Sequence, residues 1–116
     1  MQFENFNGGI VGSIVTTAAN TAFNTSSDMR LKEDFRPLDA GHIIDSVEVH
    51  NFKWRDRSDR ADGALAQQVY DVYPRAVTHD EGKDWWGIDY SKFVPLLLQE
   101  IKDLRKRVKQ LEQGEE

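Results

Sequence analysis

The sequence contains no cysteine, and its first 29 residues contain no lysine or arginine. Without cysteine the chain can form neither disulfides nor thiolate metal sites, and nothing indicates its redox compartment. The three histidines, His42, His50 and His79, lack the i, i+4 spacing of a helical metal-binding pair. We therefore expect no metal ion and no cofactor.

Long apolar runs are also missing. No segment approaches the ~20 apolar residues that a membrane-spanning helix needs. The most apolar stretch is residues 10–19. In a signal peptide a basic segment precedes the apolar part, and no lysine or arginine precedes this stretch. A net charge of -5 argues against a general nucleic-acid binder, because counterion release from phosphates needs a basic face, and the basic cluster "KDLRKRVK" is interrupted by Asp103 and fits a solvated helix face. Neither a membrane nor a nucleic acid is expected as a partner.

The chain changes character near Arg30, where the first basic residue appears. The segment before it is rich in Gly, Asn, Thr, Ser and Ala, with β-branched pairs at residues 10–11 and 14–15, which predicts short strands and tight turns. It has too few bulky residues for a core of its own. Two interpretations remain open: the end of a larger β-structured protein, or an unstructured N-terminal extension.

The remainder predicts a small α+β domain of short strands and helices with a long C-terminal helix. We expect a short helix or turn before Pro37, a bulged strand over residues 46–55 and an exposed loop or hairpin tip from Arg55 to Gly63. A short helix follows in "GALAQQVYDVYP", and a hairpin in "RAVTHDEGKDWWGIDY". Its aromatic residues are predicted to lie in the core or an interface: Trp85, Trp86 and Tyr90.

The last helix, over about residues 92–112 with Ser91 as its N-cap, has the pattern of a parallel coiled coil. Apolar residues alternate three and four apart, with positions a at Val94, Ile101 and Val108 and positions d at Leu97, Leu104 and Leu111. We call these six residues the seam. The charges agree, because Glu100 faces Arg105 and Arg107 faces Glu112 across neighbouring helices in that register.

The number of helices stays open at this point. Beta-branched a positions with leucine at d favour two strands. A single amphipathic helix lying on its own domain is also compatible with the wider apolar face near Leu96 and Leu98. Beyond Glu100 only the narrow seam is apolar, which favours self-association there.

The segment "NTSSDMRLK", residues 24–32, fits a helix start in which Ser27 or Asp28 is the cap. In the order "FNTSSDMRLKEDF", "FKW", "GALAQQV", "GIDYSKFVPLL" and a terminal coiled coil, however, the chain resembles a known family. That family is the intramolecular chaperone domain of phage tail spikes and fibres, the S74 peptidases. The resemblance runs from about Thr21 to Leu111, with Gln68 where the family usually has an acid.

The resemblance implies a homotrimer that guides the folding of its own upstream fibre or spike segment. It then implies self-cleavage between Ser26 and Ser27, with Ser27 as nucleophile and Lys32 as its partner. The domains would be residues 1–26, the end of the upstream β-structure, and residues 27–116, the chaperone. Such a protein is made in the host cytoplasm; the upstream product enters the virion tail and the chaperone domain is released after assembly.

The residue types suit this chemistry. A serine hydroxyl needs a base, and a lysine amine serves only if desolvation or a nearby cation keeps it neutral part of the time. Arg30 is a candidate for that cation, and Asp28 either orients the serine or caps the helix, with capping preferred. Two non-catalytic alternatives remain: a trimerisation and capping module, or a receptor-binding tip, each retained on the fibre.

Overall fold

A computed structural model of the protein describes residues 1–114. Contacts divide the chain into two compact units, Met1–Arg36 and the part from Pro37 onward. The described residues form seven short strands in three small sheets, together with three α-helices. This mixed architecture confirms the predicted α+β class. The predicted boundary after residue 26 stays a prediction, and residues 115–116 of the predicted chaperone domain lie outside the described part.

The first unit is an antiparallel three-stranded sheet of β1 (Gln2–Glu4), β2 (Ile10–Thr16) and β3 (Thr21–Thr25), in that order. Polar side chains close both turns. Asn5 Oδ1 accepts hydrogen bonds from the amides of Asn7 and Gly9, and Thr17 Oγ1 accepts one from the amide of Asn20. The predicted strands and tight turns are therefore confirmed for this segment.

This sheet has no core of its own. No residue between 1 and 36 is buried, and Phe6 and Phe23 are exposed along with much of the β-branched surface of β2. A small sheet in water normally needs a covered apolar face to be stable. The first unit is thus ordered as a sheet, and its large apolar side chains are exposed.

The second unit contains α1 (Ala40–Ser46), a hairpin of β4 (His50–Lys53) and β5 (Arg60–Gly63), α2 (Ala66–Val72), a hairpin of β6 (Val77–Asp80) and β7 (Trp85–Ile88), and α3 (Phe93–Gly114). The predicted α2 and the β6–β7 hairpin are confirmed. Its fully buried hydrophobic side chains are few and mostly small: Ala40, Val69, Ala76 and Leu96.

Two predictions for residues 46–63 are wrong in part. Val47 caps the end of α1 and β4 begins only at His50, so the strand is shorter than predicted and pairs without a bulge in its described register. Arg60–Gly63 is a strand rather than a loop, and only the residues before it form the exposed tip. The helix α1 was missed because its apolar residues are too few to show a helical period.

The predicted core aromatics are only partly covered. Trp86 packs between His79, stacked at 3.8 Å, and Tyr70, whose ring meets it edge-on at 5.5 Å. Trp85 and Tyr90 are about half exposed. Aliphatic side chains, rather than the tryptophans, therefore form the centre of this unit.

The helix α3 spans 22 residues, close to the predicted range. A 3₁₀ turn, Tyr90–Lys92, leads into it, and Asp89 caps that turn in place of the predicted Ser91. Asp89 Oδ1 accepts hydrogen bonds from both the amide and the hydroxyl of Ser91, and the hydroxyl bond lowers the pKa of this carboxyl. Pro95 lies in the first turn of α3, where its missing N–H costs no helical hydrogen bond.

Candidate functional site

Ser27 and Lys32 lie side by side in the first unit. One 3₁₀ turn, Met29–Leu31, separates them, and Lys32 follows it in extended conformation. The lysine side chain extends back across this turn, and Lys32 Nζ lies 2.6 Å from Ser27 Oγ. Two residues that are five positions apart do not share a face of a continuous α-helix. The short turn is what brings this pair together.

Asp28 and Arg30 stabilise that turn. Asp28 is its N-cap and accepts a hydrogen bond from the amide of Arg30 at 2.9 Å. The same carboxylate accepts hydrogen bonds from the Arg30 guanidinium, the shortest at 2.7 Å. The guanidinium lowers the pKa of Asp28, and the carboxylate raises the pKa of Arg30. The charge of Arg30 is thus paired with Asp28, and its predicted role as a cation that assists Lys32 stays a prediction.

Ser26 is held by the sheet. Its amide donates to the carbonyl of Val11 at 3.0 Å, and its hydroxyl donates to the carbonyl of Ile10 at 2.7 Å. Both bonds extend the pairing of β2 with β3 by one residue beyond the end of the strand. The peptide bond between Ser26 and Ser27 therefore lies between the sheet on one side and the capped turn on the other.

The site is open to solvent, since every residue from Ser26 to Lys32 is exposed. In the structure, Lys32 Nζ donates a hydrogen bond to the Ser27 hydroxyl. A general base for that hydroxyl has to be neutral, which requires that water be excluded from around the amine. In the single chain, the geometry of a serine and lysine pair is present and the dry environment is not.

The seam residues lie along α3 with their side chains about half exposed, from 45% for Leu104 to 67% for Leu111. Between 101 and 114 every residue of α3 is exposed. This half of the helix has no packing partner within the described residues.

An open apolar pocket of about 400 Å³ lies beside the first part of the seam. It is formed where the end of α1, the edge of β5 and the start of α3 meet. The seam residue Leu97 contributes to its wall, and so do these neighbours: Ile44, Val47, Val49, Asp62, Gly63, Ala64, Tyr90 and Phe93. The apolar surface of the seam is thus continuous with apolar surface on the body of the second unit.

The sequence did not predict the contacts that "GALAQQV" makes with neighbouring elements. Gln68 bridges two elements, because its amide nitrogen donates to the carbonyl of Ser46 at 2.6 Å and its amide oxygen accepts from the amide of Glu48. Gly63 leaves room for Tyr90, whose hydroxyl oxygen would lie 2.5 Å from a Cβ at this position. That hydroxyl accepts a hydrogen bond from the amide of Ala64. The motif therefore joins β5, α2 and the start of α3.

Two further features are absent from residues 1–114. No group of three or more histidine, aspartate or glutamate side chains there is arranged to hold a metal ion. No helix in that range has the length and apolar character needed to cross a bilayer.

Comparison with known proteins agrees with the motifs. The family model Peptidase S74, described as chaperone of endosialidase, matches residues 27–78. The match begins at Ser27 and includes the Ser27 to Lys32 turn and "GALAQQV", while the seam lies outside it. No curated protein matches the chain. The family suggests a chaperone role for a phage tail protein and a self-cleaving peptidase. The match supports the predicted resemblance over residues 27–78, which are similar to the Peptidase S74 family, the chaperone of endosialidase.

Proposed function

We propose that this chain is an intramolecular chaperone that assembles as a trimer through α3, guides the folding of an upstream fibre or spike segment, and then cuts itself between Ser26 and Ser27. The observation that carries the proposal is the 2.6 Å contact between Lys32 Nζ and Ser27 Oγ, at the residue where the S74 match begins. The family supports the chaperone role, and this contact supports a specific pair of residues for the peptidase.

The reaction balances with these groups alone. Ser27 Oγ attacks the carbonyl carbon of Ser26 while its proton passes to the neutral amine of Lys32. The peptide C–N bond breaks, and the Ser27 nitrogen takes that proton from Lys32. The resulting ester between the Ser26 carbonyl and Ser27 Oγ is hydrolysed by water, which leaves a carboxylate on Ser26 and a free amine on Ser27. Because both reacting groups are in one chain, proximity supplies part of the rate, up to about 7 to 11 kcal/mol in well-oriented cases.

Assembly is proposed to supply the dry environment that the single chain lacks. Lys32 is exposed, whereas a lysine base requires an amine from which water is excluded. Burial of this amine by neighbouring copies would turn a hydrogen-bonded pair into a working base. Cutting would then follow trimerisation, so that the chaperone is released only after three chains have assembled.

The exposed surface supports association. The chain exposes 10234 Å², whereas a compact monomer of its mass exposes roughly 6,500 Å². Two separate compact bodies with the sizes of the two units would still expose only about 7,600 Å². Uncovered seam side chains and the uncovered sheet of the first unit contribute to this excess. The number three itself comes from the family resemblance, since the heptad pattern alone favours two helices.

The test is the intact mass of a chain that carries its native upstream segment. The proposal expects two products whose masses correspond to cleavage before Ser27, and a single uncut product from Ser27→Ala and from Lys32→Met. Lys83→Met, in the turn between β6 and β7, is the matched control and should cut like the natural chain. An intact natural chain, or a cut that survives Ser27→Ala, would refute the peptidase role.

A second candidate is a non-catalytic trimerisation and capping module, which the full exposure of the Ser27 and Lys32 pair favours. It predicts a trimer that remains uncut and stays attached to the fibre.

A receptor-binding tip is supported only by the exposed β4–β5 turn, where Arg57 lies over the half-exposed Trp54. Shortening that turn should then abolish adsorption without affecting assembly.

A further inference from the structure

The apolar pocket of the second unit lies on one side of α3. In the heptad register of the seam, Phe93 falls at position g and Leu97 at position d, and both residues line the pocket. Glu100, the next g position, lies against α1, since a Cβ on Gly41 would come within 3.2 Å of Glu100 Oε2. The g side of α3 therefore faces α1, and the pocket opens between that side of the helix and the body of the unit.

Leu98 lies on the other flank of the seam, at position e. It exposes 62% of its surface and is not part of the pocket wall. Leu96, two residues earlier, is fully buried against the body of its own unit. The helix is thus anchored by a face that leaves Leu98 outside, and most of this leucine is available for contact with a neighbouring helix.

A parallel coiled coil brings the pocket and the leucine together. In that arrangement each g residue faces the e residue of the next heptad on the neighbouring helix. The two later pairs of this kind along α3 are oppositely charged, whereas the first pair joins Phe93 to Leu98 and is apolar. Because Phe93 is a wall of the pocket, Leu98 of a neighbouring copy meets the chain at the pocket.

From this register we infer that Leu98 of one copy inserts into the apolar pocket of the next copy. The occupant is a second copy of this chain, because the pocket shares Leu97 with the seam and its g-side wall faces the neighbour's e position. The inference rests on the association through α3 in the proposed function, and it extends that interface from the coiled coil onto the body of the second unit. In a closed ring of copies, every pocket receives one leucine and every leucine fills one pocket.

Crosslinking between introduced cysteines tests the contact in the full chain, which has no cysteine of its own. One chain carries Leu98→Cys, and an isotope-labelled second chain carries Ala64→Cys in the pocket wall. After the two are refolded together, a short bismaleimide should join a labelled to an unlabelled chain, which intact mass detects. The matched control replaces Leu98→Cys by Gln99→Cys, at the next residue and the outward-facing f position, and should give little of the mixed product.

Sedimentation equilibrium measures what the contact contributes to assembly. Leu98→Gln should raise the dissociation constant of the trimer at least about 10³-fold, since three copies each lose the burial of a largely exposed leucine. Leu65→Gln is the control, because this leucine is 56% exposed and lies neither on α3 nor in the pocket wall. Its dissociation constant should equal that of the natural chain.

The outcomes separate this inference from the proposed function. Equal crosslinking from Leu98→Cys and Gln99→Cys, or an unchanged dissociation constant for Leu98→Gln, would overturn the inference and leave a trimer that cuts itself in place. Crosslinking through Leu98→Cys in a trimer that stays uncut would support the inference and refute the peptidase role alone. A natural chain that is monomeric would refute both.

Discussion

Replacing Leu104 by aspartate should separate the proposed trimer. Leu104 occupies a d position in the middle of the seam and exposes 45% of its surface in the single chain. Burying that fraction removes roughly 80 Å² of apolar surface from water, which corresponds to about 2 kcal/mol per protomer at ~25 cal/mol per Å². An aspartate forfeits this gain and adds the cost of desolvating a carboxylate.

The loss of burial free energy is summed over the three protomers of the proposed trimer. A loss of about 2 kcal/mol in each protomer amounts to about 6 kcal/mol for the trimer, which lowers its association constant by at least about 10⁴-fold. Association also costs several kcal/mol in lost translational and rotational freedom, and a three-heptad seam has little surplus with which to offset it. We therefore expect Leu104→Asp to be monomeric at micromolar concentrations.

Sedimentation velocity measures the oligomeric state of the natural chain and of Leu104→Asp directly. A concentration range of about 1 to 100 µM brackets typical micromolar dissociation constants. Gln110→Asp is the matched control, since it places the same carboxylate on α3 outside the seam and should leave assembly unchanged. In a chain with its native upstream segment, Leu104→Asp should also stay uncut. A natural chain that sediments as a monomer, or a Leu104→Asp chain that assembles like it, would contradict the reasoning. Rapid cutting by a monomeric variant would refute the coupling of cleavage to assembly.

Three further predictions concern the body of each unit. Gln68→Ala should lower the free energy of unfolding by about 1 to 3 kcal/mol, since it leaves two backbone groups without their partner; an unchanged urea midpoint would contradict this. Gly63→Ala should cost a similar amount, about 1 to 3 kcal/mol, because the new methyl displaces the Tyr90 hydroxyl; a crystal structure with Tyr90 unmoved would refute that cause. The pKa of Asp28 is lowered by Arg30, so its stabilising contribution is present above the ordinary carboxyl pKa and is lost only as the pH falls through the lower folded value. NMR titration of the Asp28 carboxyl should therefore show a depressed inflection that moves towards the ordinary value in Arg30→Gln but stays below it, because the amide of residue 30 still donates to this carboxyl.

The order of residues predicted the local features well. Beta-branched pairs predicted strands in the first unit, Pro74 marked the end of α2, and the three- and four-residue spacing of the seam predicted α3 to within two residues. These features depend on neighbours within one or two turns of chain, where backbone preference and hydrophobic period act directly. The same is true of the Asp28 cap, which a short polar side chain before a turn already indicates.

Contacts between distant residues were decided by the fold. Nothing in the sequence indicated that Val47 would end a helix instead of beginning a strand, or that Gln68 would bridge to Ser46 and Glu48. The two hydrogen bonds of Ser26 join residues 15 and 16 positions apart, and they exist only because β2 and β3 pair in one register.

The sequence by itself determined which residues are chemically able to act, namely a serine and a lysine five positions apart and an apolar seam on one helix. Tertiary structure decided that a single 3₁₀ turn brings Lys32 Nζ to Ser27 Oγ and that the seam stays uncovered in the single chain. The physical reason is that composition and period specify local conformation, whereas distance and exposure depend on how segments remote in sequence pack.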